Sequence, residues 1–205
     1  MSVNTSHAGS EAVGLSRLER FWLHWKAKLL LVVGLRGLAT AVFQEVLARA
    51  PNDLLALNSL GYDALLNGRH LLAAGYFERV VQLAPNNPNA HFNLAFEYEE
   101  LGRLEEAERE FRATIRIDEK MDRAWYGLGL VLVRQRRFEE ALVALQRNTQ
   151  LQSMSPFAWY QMARVHMEMN QPDQALAVMR HLNGFEPKVA AQLERETGLK
   201  LSAPV

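Results

Sequence analysis

Residues 54–87 read LLALNSLGYDALLNGRHLLAAGYFERVVQLAPNN. Leu57, Leu60, Gly61 and Ala64 stand at i, i+3, i+4 and i+7, the spacing of one helix face. A small residue at Gly61 lets a second helix come close. Asn67-Gly68 is a turn signal, and Ala73, Phe77 and Val80 form the facing stripe on the helix that follows. The stretch therefore predicts a helical hairpin. One hairpin leaves a flank uncovered, so it needs neighbours of its own kind.

Those neighbours are present at a fixed interval. Gly61, Ala95, Gly129 and Ala163 are 34 residues apart each time, as are Ala73, Ala107, Ala141 and Ala175. Phe77, Phe111, Leu145 and Met179 make a third series, and Leu60, Leu94, Leu128 and Met162 a fourth, all without a gap. Leu101-Gly102 repeats the turn of Asn67-Gly68. Asn87-Pro88 and Ser155-Pro156 each place a capping side chain before a proline suited to the first helical turn.

Leu57, Leu60, Gly61, Ala64, Ala73, Phe77 and Pro85 match most of a known signature, and His91, Leu94, Ala95, Tyr98, Ala107 and Phe111 follow it. So do Trp125, Leu128, Gly129, Leu132, Ala141 and Leu145, and then Trp159, Met162, Ala163, His166, Ala175, Met179 and Pro187. Over residues 54–189 the chain resembles the tetratricopeptide-repeat (TPR) family. The resemblance implies an all-α fold, a right-handed superhelical solenoid of antiparallel helix pairs, with repeats at 54–87, 88–121, 122–155 and 156–189. Counting backwards, Ala39, Phe43, Val46 and Pro51 keep the register, while Lys26 and Ala27 replace the Leu-Gly pair. Residues 20–53 are expected to be a degenerate capping repeat. Residues 1–19 are expected to be flexible, and 190–205 to form a capping helix and tail, with the helix entered at Pro187 and stopped by Gly198.

Residues 21–43 carry a competing pattern. Leu29 to Val33 follow Arg17, Arg20, Lys26 and Lys28, and Ala39-Thr40-Ala41 imitates a signal-peptidase site. Arg36 interrupts the apolar run, which is far short of the ~18–20 residues that a membrane span needs. Phe21, Trp22 and Trp25 beside Lys26 and Lys28 would also suit a membrane surface. Packing of these rings against the first full repeat is the preferred expectation, with a cytoplasmic location and a peripheral membrane one as the alternative.

Composition narrows the chemistry. The 205 residues carry 23 Lys plus Arg against 23 Asp plus Glu, so no overall field draws the chain to nucleic acid or to an anionic membrane. There is no cysteine, which excludes thiolate metal sites and a cysteine nucleophile. None of the six histidines stands four residues from another, and no glycine-rich loop could cradle a phosphate. His91 and His166 occupy repeat core positions, where a hydrogen-bonded packing role is expected. Glu99-Glu100, Glu105-Glu106 and Glu139-Glu140 are expected to be solvated surface pairs, and the basic run Arg134, Arg136, Arg137 a solvated turn. No catalytic residue, cofactor or metal site is assigned.

In the TPR family the first helix of each repeat lines a groove. The resemblance places Asn58 and Tyr62 there, then Asn89, Phe92, Asn93 and Phe96, then Arg123, Tyr126 and Leu130, then Phe157, Tyr160 and Arg164. Phe92, Tyr126 and Tyr160 give one ring per repeat, and aromatic rings recur at binding hot spots. Asn93 matches one position of the family's two-carboxylate clamp, but Asn58 and Tyr62 stand where the clamp needs Lys and Asn. The expected function is a non-catalytic interaction scaffold or assembly factor for a protein or peptide partner. The alternatives are a membrane-associated subunit anchored through 20–35, or an accessory subunit of an enzyme complex. A homo-oligomer stays open.

Overall fold

The computed structural model describes residues 14–201, and the regular structure among them is helical throughout. Contacts divide the chain into two compact units, 1–83 and 84–205. The first holds α1 (Arg17–Val32), α2 (Arg36–Arg49), α3 (Leu54–Leu66) and α4 (His70–Leu83). The second holds α5 (Pro88–Glu100), α6 (Leu104–Ile117), α7 (Asp122–Arg134), α8 (Phe138–Leu151), α9 (Pro156–Glu168), α10 (Pro172–Asn183) and α11 (Pro187–Thr197). Consecutive helices pack as antiparallel pairs, α1 with α2 and α3 with α4 in the first unit, then α5 with α6, α7 with α8 and α9 with α10 in the second. The all-α class and the pairing are those expected.

The pairing follows from the small and large positions of the repeat. Ala39, Ala73, Ala107, Ala141 and Ala175 are fully buried, and so are Phe77, Phe111, Leu145 and Met179. A Cβ on Gly61 would stand 2.7 Å from Cε1 of Phe77, and one on Gly129 2.7 Å from Cδ2 of Leu145, so both glycines are needed for that approach. Gly127, outside the repeat series, is more tightly filled still: Cζ, Cε1 and Cε2 of Phe111 from the preceding pair occupy the space of its missing side chain.

The turns carry a series of their own. Gly34, Gly68, Gly102, Arg136 and Asn170 all have positive φ, at 82, 67, 73, 60 and 55°. They are 34 residues apart, and each closes the loop inside one hairpin. Two are not glycine. Asn tolerates this conformation, whereas Arg pays the full steric cost of its Cβ.

Helix ends show which caps work. Oδ1 of Asn87 accepts from the Asn89 N–H with Pro88 in the first turn, as expected. Ser155 has the extended N-cap conformation but makes no side-chain cap bond, so α9 starts on Pro156 without the expected capping hydroxyl. Asp53 caps α3 by accepting from the Ala56 N–H, and the His24 ring meets the same oxygen at 3.0 Å. Gly198, at φ 75°, ends α11.

Helix α1 departs from expectation twice. It begins at Arg17, within the stretch read as flexible, because Ser16 and Glu19 form a reciprocal capping box. Residues 1–13 and 202–205 lie outside the described residues. Nor do its rings pack inward. Leu23, Ala27 and Leu30 meet the core, while Phe21, Trp22 and Trp25 are exposed, Trp22 to 61%. The helix has apolar residues on two faces, and periodicity alone could not say which one is buried. Among the described residues no helix is long and apolar enough to cross a membrane.

Candidate functional site

The second unit presents α5, α7 and α9, the first helices of three successive pairs, side by side, with α11 against α9. Their shared face carries most of the residues picked from the sequence. Phe92 is half-buried, edge-on to Phe111 with centroids 5.9 Å apart, and the Arg123 guanidinium lies 4.8 Å from its centroid. Asn93 is buried, Phe96 and Leu130 are half-buried, and Asn89 is exposed with its backbone N–H used in the α5 cap. Tyr126 meets Phe157 edge-on at 6.5 Å. Burial holds the Tyr126 phenol above its ordinary pKa despite a hydrogen bond with Gln161. Tyr160 donates its hydroxyl proton to Oε2 of Glu196 at 2.6 Å, which raises the phenol pKa and lowers that of the carboxyl. Arg164 lies 5.7 Å from the Tyr160 centroid.

The three rings of the ladder are thus not equivalent. Phe92 is covered by a neighbouring cation, and Tyr160 is tied to α11. The most accessible ring on this face is Phe157, 65% exposed. It stands between two clefts. One is lined by Arg123, Tyr126, Phe157, Gln152 and Ser155, the other by Phe157, Tyr160, Val189 and Gln192. Gln152, Ser155, Val189 and Gln192 were not picked from the sequence. They belong to a helix terminus, a loop and a closing helix, which first-helix bookkeeping does not visit.

In the first unit, Asn58 donates from Nδ2 to the Leu54 carbonyl at 2.7 Å. The Tyr62 ring is edge-on to Phe77 at 5.5 Å and borders a cleft with Leu31, Arg36, Thr40 and Phe43.

The basic run is not a free cationic patch. Arg134 donates to the Glu99 carbonyl at 2.8 Å and pairs with its carboxylate at 3.8 Å. Arg137 binds Glu108 at 2.6 Å and Glu140 at 2.7 Å, and Arg112 reaches the same two carboxylates. Burial opposes ionisation of Glu108, but the bonds from Arg112 and Arg137 outweigh it and hold the carboxyl below its usual range. Glu99 corrects the expectation of a solvated pair. Its burial raises its pKa, and the Arg134 charge only partly offsets this. His91 has the packing role expected, with Nδ1 2.7 Å from Oε2 of Glu110 and Nε2 2.9 Å from the Pro85 carbonyl. Among the described residues no group of three His, Asp or Glu side chains is arranged to hold a metal ion.

Comparison with known proteins agrees with this architecture. Two tetratricopeptide-repeat family models match residues 26–88 and 64–128, together just over half of the chain. A third model, described as anaphase-promoting complex (cyclosome) subunit 3, matches residues 117–182. The chain belongs to the tetratricopeptide-repeat family. No curated protein matches it by sequence. Among solved structures it is similar to YrrB, described as a TPR protein with an unusual peptide-binding site, with TM-score 0.75, 18% identity, and 82% of this chain and 88% of that one covered. It is also similar to the MamA protein, at TM-score 0.77 and 16% identity over 89% and 97% of the two chains. MamA from Desulfovibrio magneticus RS-1, residues 41 to the end, aligns at TM-score 0.74 and 18% identity over 93% and 99%.

Proposed function

We propose that the chain is a non-catalytic protein–protein interaction scaffold or assembly factor. It seats a partner segment on the face of α5, α7 and α9, with apolar anchors in the two clefts beside Phe157. The observation that carries this is Phe157 itself, a large ring 65% exposed between concave walls, with Arg123 and Arg164 exposed nearby. Aromatic groups that wall a pocket are favoured anchors at binding hot spots. The two arginines suit a segment with acidic groups beside its apolar ones. The YrrB structure, a TPR protein with a peptide-binding site, supports peptide binding by this fold.

The test begins with peptides selected from a display library against the full chain. Phe157→Ala is expected to weaken a selected peptide by ~2 kcal/mol, roughly thirtyfold, with its melting curve unchanged. Glu105→Ala, on the exposed side of α6, is expected to change binding little. Selected peptides that bind folded Phe157→Ala and Tyr126→Ala as tightly as wild type would move the site off this face.

A further inference from the structure

Helix α1 is amphipathic in a way that core packing does not use. Successive residues advance about 100° around a helix, which gathers Leu18, Phe21, Trp22, Trp25, Leu29 and Val32 into one arc opposite buried Ala27. All six are exposed, Val32 to 83%. Phe21, Trp22 and Trp25 touch edge-on in sequence, with centroids 5.8 and 6.1 Å apart. Among the described residues nothing covers this apolar arc.

The charges bordering the arc are basic. On the same projection Arg17 and Lys28 fall on one edge and Lys26 on the other, with Arg36 just past the turn. The side chains of these four make no ion pair among the described residues. The carboxylate of the helix, Glu19, already accepts from the Ser16 backbone N–H and from Arg49. Basic side chains nearer the core behave differently, with Arg20 and His24 both turned to Asp53. The indoles repeat the contrast. Nε1 of Trp125 and Trp159 donates to a backbone carbonyl at 2.8 and 2.9 Å, whereas Trp22 and Trp25 make only ring contacts among the described residues.

We propose that the outward face of α1 docks on an anionic bilayer surface, lying in the plane of the interface without crossing it. The apolar arc enters the headgroup–acyl boundary, where an indole buries its ring and keeps its N–H hydrated. Arg17, Lys26, Lys28 and Arg36 meet the lipid phosphates. A second copy is the less favoured occupant, because it would bring the same basic borders together without an acidic complement. Residues 1–13 contain no run of large apolar side chains to cover the arc. The proposal is independent of peptide binding.

Flotation of the full chain with vesicles tests it. One set contains phosphatidylcholine alone, the other phosphatidylcholine with one part in three phosphatidylglycerol. The expected result is binding to the anionic set that weakens with salt, at least roughly tenfold tighter than to the neutral set, since one basic side chain contributes on the order of fivefold. The double variant W22A/W25A should lose that binding, with its melting curve and its selected-peptide affinity unchanged. Should that variant aggregate, K26Q/K28Q gives the second reading, with a loss on the order of tenfold. Brominated acyl chains should quench Trp22 and Trp25, leaving the remaining emission in W22F/W25F unquenched. No flotation at low salt overturns the proposal. Equal binding by W22A/W25A does so too, and so does a concentration-dependent dimer that W22A/W25A abolishes in a chain that ignores vesicles.

Discussion

The Arg123 guanidinium covers the ring of Phe92 at 4.8 Å, joining the start of α7 to the middle of α5. The same ring also meets Phe111, which is fully buried, edge-on. Phe92 is therefore a packing residue with one polar neighbour. Phe92→Ala should lower stability by about 1–3 kcal/mol. Arg123→Ala gives up a cation–π contact worth about 0.5–1 kcal/mol at an exposed site. Urea unfolding of the two variants measures the difference, and a larger loss for Arg123→Ala would contradict this packing.

Gly127 makes a sharper test of the core than the repeat glycines do. Its missing Cβ is replaced by a rigid aromatic ring, that of Phe111, whereas at Gly129 the neighbour is the end of a Leu side chain. Overpacking costs about 1–3 kcal/mol, and the helix propensity gained from Gly to Ala returns up to about 1 kcal/mol. Gly127→Ala should thus be net destabilising, and more so than Gly129→Ala, in thermal or denaturant unfolding.

At Arg136 the expected sign is reversed. A non-glycine residue at φ 60° costs about 1–2 kcal/mol, part of which is recovered on replacement by glycine. Arg136→Gly should stabilise by about 0.5–1 kcal/mol even though it loses a contact 5.5 Å from the Phe138 centroid. Arg136→Ala keeps the strain, so its melting temperature should not rise.

The capping box predicts a local pH response. Hydrogen bonds from the Ser16 backbone and side chain, then Arg49, lower the Glu19 pKa from 4.5 to about 2. A folded pKa below the unfolded one contributes stability above pH 4.5, and that contribution is lost as pH falls towards 2. Amide protection in the first turn of α1 should fall across this window in the wild type. In Glu19→Ala it should already be low at neutral pH and change little on acidification.

The repeat, its register and the buried series were legible because each rests on residue type at fixed spacing. Gly127 was not, because its partner Phe111 sits in another hairpin and no local pattern joins them. Arg136 hid a left-handed turn because arginine carries no signal for one. The salt bridges from Arg134 to Glu99 and from Arg137 to Glu108 reach 35 and 29 residues back along the chain, too far for spacing to announce. For the proposed binding face, the family resemblance pointed to first-helix positions, including Phe157. It could not rank them, since exposure of one ring depends on what neighbouring pairs lay over it.

Gly34, Gly68, Gly102, Arg136 and Asn170 share one backbone conformation at one interval. They therefore work as interchangeable splice points. Excising residues 103–136 would join Gly102 to Arg137, so that α5 runs into α8 through a bend of unchanged hand, with glycine now in the strained seat. Phe111 and Gly127 leave together, so neither half of that fitted pair is stranded. Hairpins can be added to or subtracted from this chain in whole steps of 34 residues, and a fractional step would put a bulky, right-handed residue where the loop must turn left.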